Sequence, residues 1–570
     1  MTKRAPWVGL TLMAACGGDG ASTVASSDPF CQEVLPAVAA FMEEAREEHP
    51  VPDDPRYGGT VVMGNYGEIP EGMNVAVSSD YVAAQHQQFV NLMTLIDYDE
   101  ATEPRPYLAE SWEVAEDNAS VTFHLRHDVR WHDGEQTDAH DVAFTYETVT
   151  DPATGFPNSS WWDDYVQGPD GVEVVDDFTV TIRLRPHGDF LDPFRALAIL
   201  PEHLLGEVPR DQLRQHPFGV QCPVGNGPFV FVSHSPQDRW VFEANPAFSP
   251  SLGGRPFIDR YVYRVVTEQS TLLAELLTEG IDVYMAPPPD QAEQILADPD
   301  LDLLSYPARQ YNFVAWNARR PQLSDARVRR ALSMGTNREE IVDAILQGYG
   351  TVANSSVPPF HWAYDEKAAS SIAFDPEAAA AQLTEAGWVD RDGDGTRENE
   401  DGVPLEISVK YNTGNQLRQD IAEIMDAQLD GIGVAVRPEV VDWTTLLDQI
   451  LDPDRRDFDG VVMGWIAEYK LDDTNLFHSE RVDQPNALSG TMNPEIDRLL
   501  EELRQTVERD DDALALWREY QLAIMQEQPY TFFYFPERLA GVNKRVRDVT
   551  MDARGEWLNI REWHIDPAAR

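Results

Sequence analysis

Between Thr60 and Val441 the chain changes its hydrophobic period again and again, and this restricts the fold more than any other feature. Val121-Thr122-Phe123-His124-Leu125-Arg126 places apolar side chains at every second residue, and Phe178-Thr179-Val180-Thr181-Ile182-Arg183-Leu184 does the same. That is the pattern of a half-buried strand. Residues 60–63, 261–266, 403–411 and 433–441 read as further strands. Residues 271–278, 325–347, 376–386 and 417–429 instead carry helical spacing, two of them opening on Asp or Pro and closing near Gly. Strands and helices interleaved in this way predict α/β domains and exclude an all-β protein or a helical bundle. A chain of 570 residues has room for two or three such domains. No repeat of 20 to 50 residues is present.

Acidic residues dominate: 98 Asp and Glu stand against 44 Lys and Arg, a formal charge of −54. Such a field repels phosphate backbones and anionic headgroups, which excludes nucleic acid as a partner. The first residues read as an export signal. Lys3 and Arg4 precede an apolar run, 5–12, that is too short to span a bilayer. Ala14-Ala15-Cys16-Gly17 follows and resembles a bacterial lipobox, which implies that Cys16 becomes the acylated first residue. Residues 1–16 are therefore expected to be a signal peptide. The protein is expected in the periplasm or at the cell surface, lipid-anchored through Cys16. Cys31 and Cys222 then remain as an even pair in an oxidising compartment, either bonded or as two buried thiols. Residues 17–56 divide into a Gly/Ser-rich tether and a helix at 30–48 with Val34, Val38, Phe41 and Met42 near helical spacing.

A long ordered signature begins at Arg105-Pro106-Tyr107-Leu108-Ala109-Glu110-Ser111-Trp112 and runs through Val129-Arg130-Trp131-His132-Asp133-Gly134 to Thr137-Asp138-Ala139-His140-Asp141-Val142. Val224-Gly225-Asn226-Gly227-Pro228-Phe229, Gly254-Arg255-Pro256-Phe257-Ile258-Asp259 and Asp325-Ala326-Arg327-Val328-Arg329-Arg330-Ala331-Leu332 follow in order. Together they resemble the family 5 extracellular solute-binding proteins, the oligopeptide and dipeptide receptors of ABC importers. The resemblance covers about Tyr57 to Asp552.

It implies a two-lobed periplasmic-binding-protein fold of type II, cluster C-like, with an extra subdomain in lobe one at about 100–220. Lobe one is expected at 57–306 with a return at 531–570, and lobe two at 307–530, so the chain crosses near Tyr306 and near Tyr530. The implied function is capture of di- or oligopeptides by a monomer, for delivery to a membrane permease. The alternatives are an oligosaccharide, opine or metal chelate in the same cleft, or a sensor or chaperone role. No nucleophile elbow or phosphate-binding glycine loop is present, so an enzyme is not expected.

In peptide receptors of this family a Trp-x-Ala-Asp-Tyr block supplies the carboxylate that holds the ligand's α-ammonium. Gly464-Trp465-Ile466-Ala467-Glu468-Tyr469 matches it with Glu468 in place of the Asp, and Asp472 and Asp473 are rival anchors. A buried ammonium needs such a charged acceptor to offset its desolvation. Trp465, Tyr469, Trp443, Tyr311 and Trp316 are candidate walls of the cleft, and Gly464 lies beside them. Asp390, Asp392, Asp394, Thr396, Glu398 and Asp401 have the spacing of a calcium loop, and any ion there is expected to be structural. No other cofactor is implied. His124, His127, His132 and His140 fit no standard metal spacing.

Overall fold

A computed structural model describes residues 28–117, 119–157, 165–167, 171–185, 191–369, 372–453, 455–467, 469, 471–506 and 509–569. Cys16, the expected signal segment and the first part of the tether lie outside the described residues, and so does Glu468.

The first helix forms as Pro29–Glu48, with the Asp28 side chain accepting from Phe30 N at its start. Its buried stripe of Val34, Val38 and Met42 joins one apolar cluster with Phe123, Trp131 and Ile182. Cys31, on the same stripe, is bonded to Cys222. The helix is thus packed on the body and pinned to it. Beside it, four antiparallel strands form a sheet in the order Ala109–Val114, Ser120–Leu125, Thr179–Arg183, Val172–Asp176. The helix Ala139–Thr150 covers this sheet and opens on a reciprocal cap between Asp138 and Asp141.

The main sheet of the same half is built on Thr60–Asn65, which runs parallel to both Arg260–Val265 and Val283–Met285. Arg239–Ala244 and Phe229–Ser235 extend it on one side by antiparallel pairing. In the other half, Glu406–Asn412 lies between Ala435–Val441 and Gly460–Ile466, parallel to both. The helix Gln416–Asp430 makes the first crossover and Trp443–Leu451 the second. They bury opposite faces of the sheet, because Ile421 and Met425 join one apolar cluster while Leu446 and Ile450 join another. The strand order therefore reverses between Glu406–Asn412 and Gly460–Ile466.

One long strand, Tyr530–Asn543, belongs to both halves. Its residues 530–534 pair with Gln310–Trp316 and 534–536 with Gly350–Val352. Residues 537–543 pair with Leu301–Pro307, and 540–542 also with Val283–Met285. Pairing passes from one half to the other around Pro536, and the other crossing is the short link from Pro307 to Gln310. The second crossing was expected near Tyr530. It falls some residues later because the strand runs straight through it, with no turn to mark the place. The helix expected over 325–347 is two helices, Ala326–Met334 and Arg338–Leu346. Gly335 ends the first, and Asn337 caps the second by accepting from Glu340 N.

Candidate functional site

Open α/β sheets place ligands outside the carboxyl ends of their strands, at the point where strand order reverses. Here that point is flanked by Asn412 at the end of one strand and Gly464 to Ile466 at the end of the next. Arg418, in the first turn of the helix Gln416–Asp430, reaches both strands. Its Nη1 donates to Asn412 Oδ1 at 2.8 Å and lies 3.5 Å from Met463 Sδ. The guanidinium sits 5.6 Å from the Trp443 ring centre. Among the described residues it has no carboxylate at ion-pair distance. Burial lowers its pKa, with the Tyr534 hydroxyl group opposing the shift. An under-compensated cation at a helix amino terminus, where the backbone dipole is also positive, favours an anionic ligand group.

Gly464 faces Asn312 across the sheet, and a side chain there would come within 3.0 Å of Asn312 Oδ1 and 3.2 Å of Gln310 Nε2. The glycine thus admits two amides over the strand end. Trp443 opens the second crossover helix and is 42% exposed, with Leu417 46% and Ile466 59% exposed at the same edge. Trp465 is partly buried, with its Nε1 3.5 Å from Tyr530 Oη. Gly464 and Trp443 are therefore brought to one edge, joined by Arg418, Asn412, Asn312 and Gln310, while Trp465 sits across from Tyr311 and packs on that face against Phe313.

The other aromatic candidates are placed differently. Trp316 is fully buried in the core and donates Nε1 to Thr531 Oγ1 at 2.9 Å. Tyr311 is buried on the opposite face, among Phe313, Phe532 and Phe535. Neither lines a cleft, because Gln310–Trp316 is a central strand whose two faces are both covered. Tyr469 is buried too, but in the cluster of the other half. The rival acids are occupied. Asp473 accepts from Ser356 and Tyr520, and burial raises its carboxyl pKa to about 6 against those hydrogen bonds. Asp472 lies 3.3 Å from Arg504 Nε. Glu468 lies outside the described residues, bracketed by Ala467, whose N–H donates to Arg309 O, and Tyr469.

A cavity of about 80 Å³ opens at the hinge, lined by Tyr81, Tyr306, Arg309, Gln310, Ile466, Arg538 and Glu556. Glu556 is fully buried there and accepts from Tyr81, Tyr306 and Arg538 at 2.7, 3.0 and 2.6 Å. A second cavity, of about 620 Å³, is lined by Asp97, Arg105, Phe248, Arg554 and Arg561, all from the half that holds the first helix.

In the acidic loop, oxygens of Asp390, Asp392, Asp394 and Glu398 lie within 4.8 Å of one another. Asp401 is not in that group; its N–H donates to Asn399 Oδ1, and the Thr396 N–H donates to Asp394 Oδ1. The histidines do not converge. His132 is buried with its Nε2 at Gly227 O, His127 packs tilted against Phe178 with ring centres 3.9 Å apart, and His140 is exposed.

Two α/β lobes joined by two strand crossings are the architecture of a two-lobed binding protein. Residues 103–483 match the family model described as bacterial extracellular solute-binding proteins, family 5 Middle. The chain belongs to that family. It is 29% identical over 517 residues to the oligopeptide-binding protein AppA of Bacillus subtilis, covering 90% of this chain and 92% of that protein. It is 26% identical to the dipeptide-binding protein of Escherichia coli, covering 80% and 85%. The structure of AppA in complex with a nonapeptide superposes with a TM-score of 0.71 at 28% identity, covering 90% of this chain and all of the other. These relatives are binding proteins rather than enzymes. Among the described residues, no helix is long and apolar enough to cross a membrane.

Proposed function

We propose that this protein captures di- or oligopeptides between its lobes outside the cytoplasmic membrane and delivers them to an ABC permease. Residues 57–307 and 537–570 act as lobe one and residues 310–536 as lobe two, with the hinge strand shared between them. Lipid on Cys16 tethers the mature chain to the membrane. The observation that carries the reading is Arg418, a half-buried guanidinium with no carboxylate partner among the described residues, at the switch point of lobe two. In a chain of net charge −54, a cation left uncompensated at this edge is suited to the carboxylate of a zwitterion. Glu468, three residues beyond Trp465 in the family's anchor block, supplies the acceptor for the α-ammonium. Trp443, Trp465 and Ile466 offer apolar surface to side chains without demanding one sequence.

Calorimetric titration with tri-alanine, N-acetyl-tri-alanine and tri-alanine amide tests this. Each blocked peptide is expected to bind at least about tenfold more weakly than the free one, since each loses one charge-assisted contact. Equal affinity for all three would reject recognition of the peptide termini.

A further inference from the structure

We propose that Tyr469 and Arg509 of lobe two form a two-point clasp that fastens it to lobe one. The inference rests on the two-lobed capture reading and adds the residues that hold the closed form.

Tyr469 crosses between the lobes. Its hydroxyl donates to Ala553 O at 2.7 Å, and its ring lies 5.5 Å from the Tyr98 ring. The Arg195 guanidinium of lobe one sits 4.6 Å from the ring centre, and that of Arg309 in the hinge link sits 4.5 Å from it. A tyrosine between two guanidiniums gains cation–π attraction from both, and more so when water is excluded. Arg195 is itself buried, with Asp97 3.8 Å away and Nη2 donating to Arg554 O. Its seat is therefore rigid.

Arg509 makes the second point. Its Nη1 donates to Glu103 Oε1 at 2.9 Å and its Nη2 to Thr102 O at 3.2 Å. Thr102 has φ 60°, a left-handed backbone that a β-branched residue rarely adopts, and Asp99 holds the turn by accepting from Ala101 and Glu103 N–H groups. The turn thus presents its oxygens to lobe two.

One loop of lobe two supports both points. His361 donates Nε2–H to Tyr469 O at 3.2 Å, because its Nδ1 accepts from Ala363 N. The next residue, Trp362, lies beneath Arg509 at 5.6 Å. The two contacts therefore engage and release together.

The test uses the full mature chain as wild type, Y469F and the double variant Y469A/R509A. Small-angle scattering should give a radius of gyration near 24 Å for the wild type in the presence of tri-alanine, and about 1 Å more for the double variant. Tri-alanine should leave the double variant about tenfold faster, with its association rate within about twofold of wild type. Y469F keeps the ring and loses the Ala553 contact. Hydrogen exchange at 97–103 and 552–555 should quicken in it at an unchanged melting temperature, which a merely structural role would not give. An unchanged radius in the double variant, or unchanged exchange in Y469F, overturns the clasp. If the wild type binds no tri-alanine, the peptide reading fails, while the scattering and exchange comparisons without peptide still decide the clasp.

Discussion

Breaking the Cys31–Cys222 bond should loosen lobe one by an amount that the chain itself sets. The two cysteines are 191 residues apart in sequence, and the enclosed loop holds the whole antiparallel subdomain. The chain-entropy relation for a loop of that length gives about 5 kcal/mol at 25 °C. This is an upper figure, since an unfolded chain that keeps residual structure loses less entropy. Each thiol stays buried when replaced by serine, so the C31S/C222S variant adds a small polar cost in the same direction. The variant also removes the covalent pin on the helix Pro29–Glu48, leaving it held by the packing of Phe30, Val34, Val38, Phe41 and Met42 and by the 2.8 Å pair of Arg46 with Glu243. Guanidinium denaturation followed by circular dichroism should show the first transition shifted down by about 1 M, for a denaturant slope near 5 kcal/mol per molar. Hydrogen exchange should show 29–48 losing protection before the subdomain does. A shift below about 0.2 M would refute the reasoning, because it would mean that the helix and subdomain do not unfold as the bonded unit.

Other consequences are equally concrete. Arg418→Met should weaken tri-alanine binding by about 10- to 100-fold while leaving the melting temperature within about 2 °C, measured by calorimetric titration and scanning calorimetry. Trp316→Ala should do the reverse, costing about 3–5 kcal/mol of stability through the cavity it leaves, with unchanged affinity in the folded fraction. Asp473 holds its proton up to about pH 6 in the fold because it is buried, against an ordinary value of 3.8. The folded state therefore binds more protons than the unfolded one between about pH 4 and 6, and stability falls as pH rises through that window. The share of this one group is about 3 kcal/mol. Denaturation of wild type and D473N at pH 4, 5, 6 and 7 should show their difference changing across the window and flat above it; a constant difference would contradict the assignment.

Much of the architecture was legible because it rests on local periodicity. The strands at 60–65, 120–125 and 260–265 and the helices at 376–385 and 416–430 fall within a few residues of where alternation and caps placed them. The hinge strand was not legible as a hinge, because Tyr530–Asn543 keeps one strand pattern through both lobes and its change of partner depends on residues more than 200 positions away. Trp316 and Tyr311 were misplaced for a related reason. Their strand is apolar on both faces, so alternation does not say which side meets a core and which a ligand. Arg418 escaped notice because a cation in the first turn of an amphipathic helix reads as solvated surface. Only the fold brings Asn412, Met463 and Trp443 around it. Tyr469 carried a signal, the family's anchor block, but its seat is made by Tyr98, Arg195 and Ala553, which no local pattern connects to it.

Native mass spectrometry of protein purified gently from its own cells addresses peptide capture most directly. The account predicts a bound population that, on release and fragmentation, resolves into peptides with free amino and carboxyl termini and varied side chains. A sugar, an opine or a metal chelate in that population, with no peptide, would contradict it.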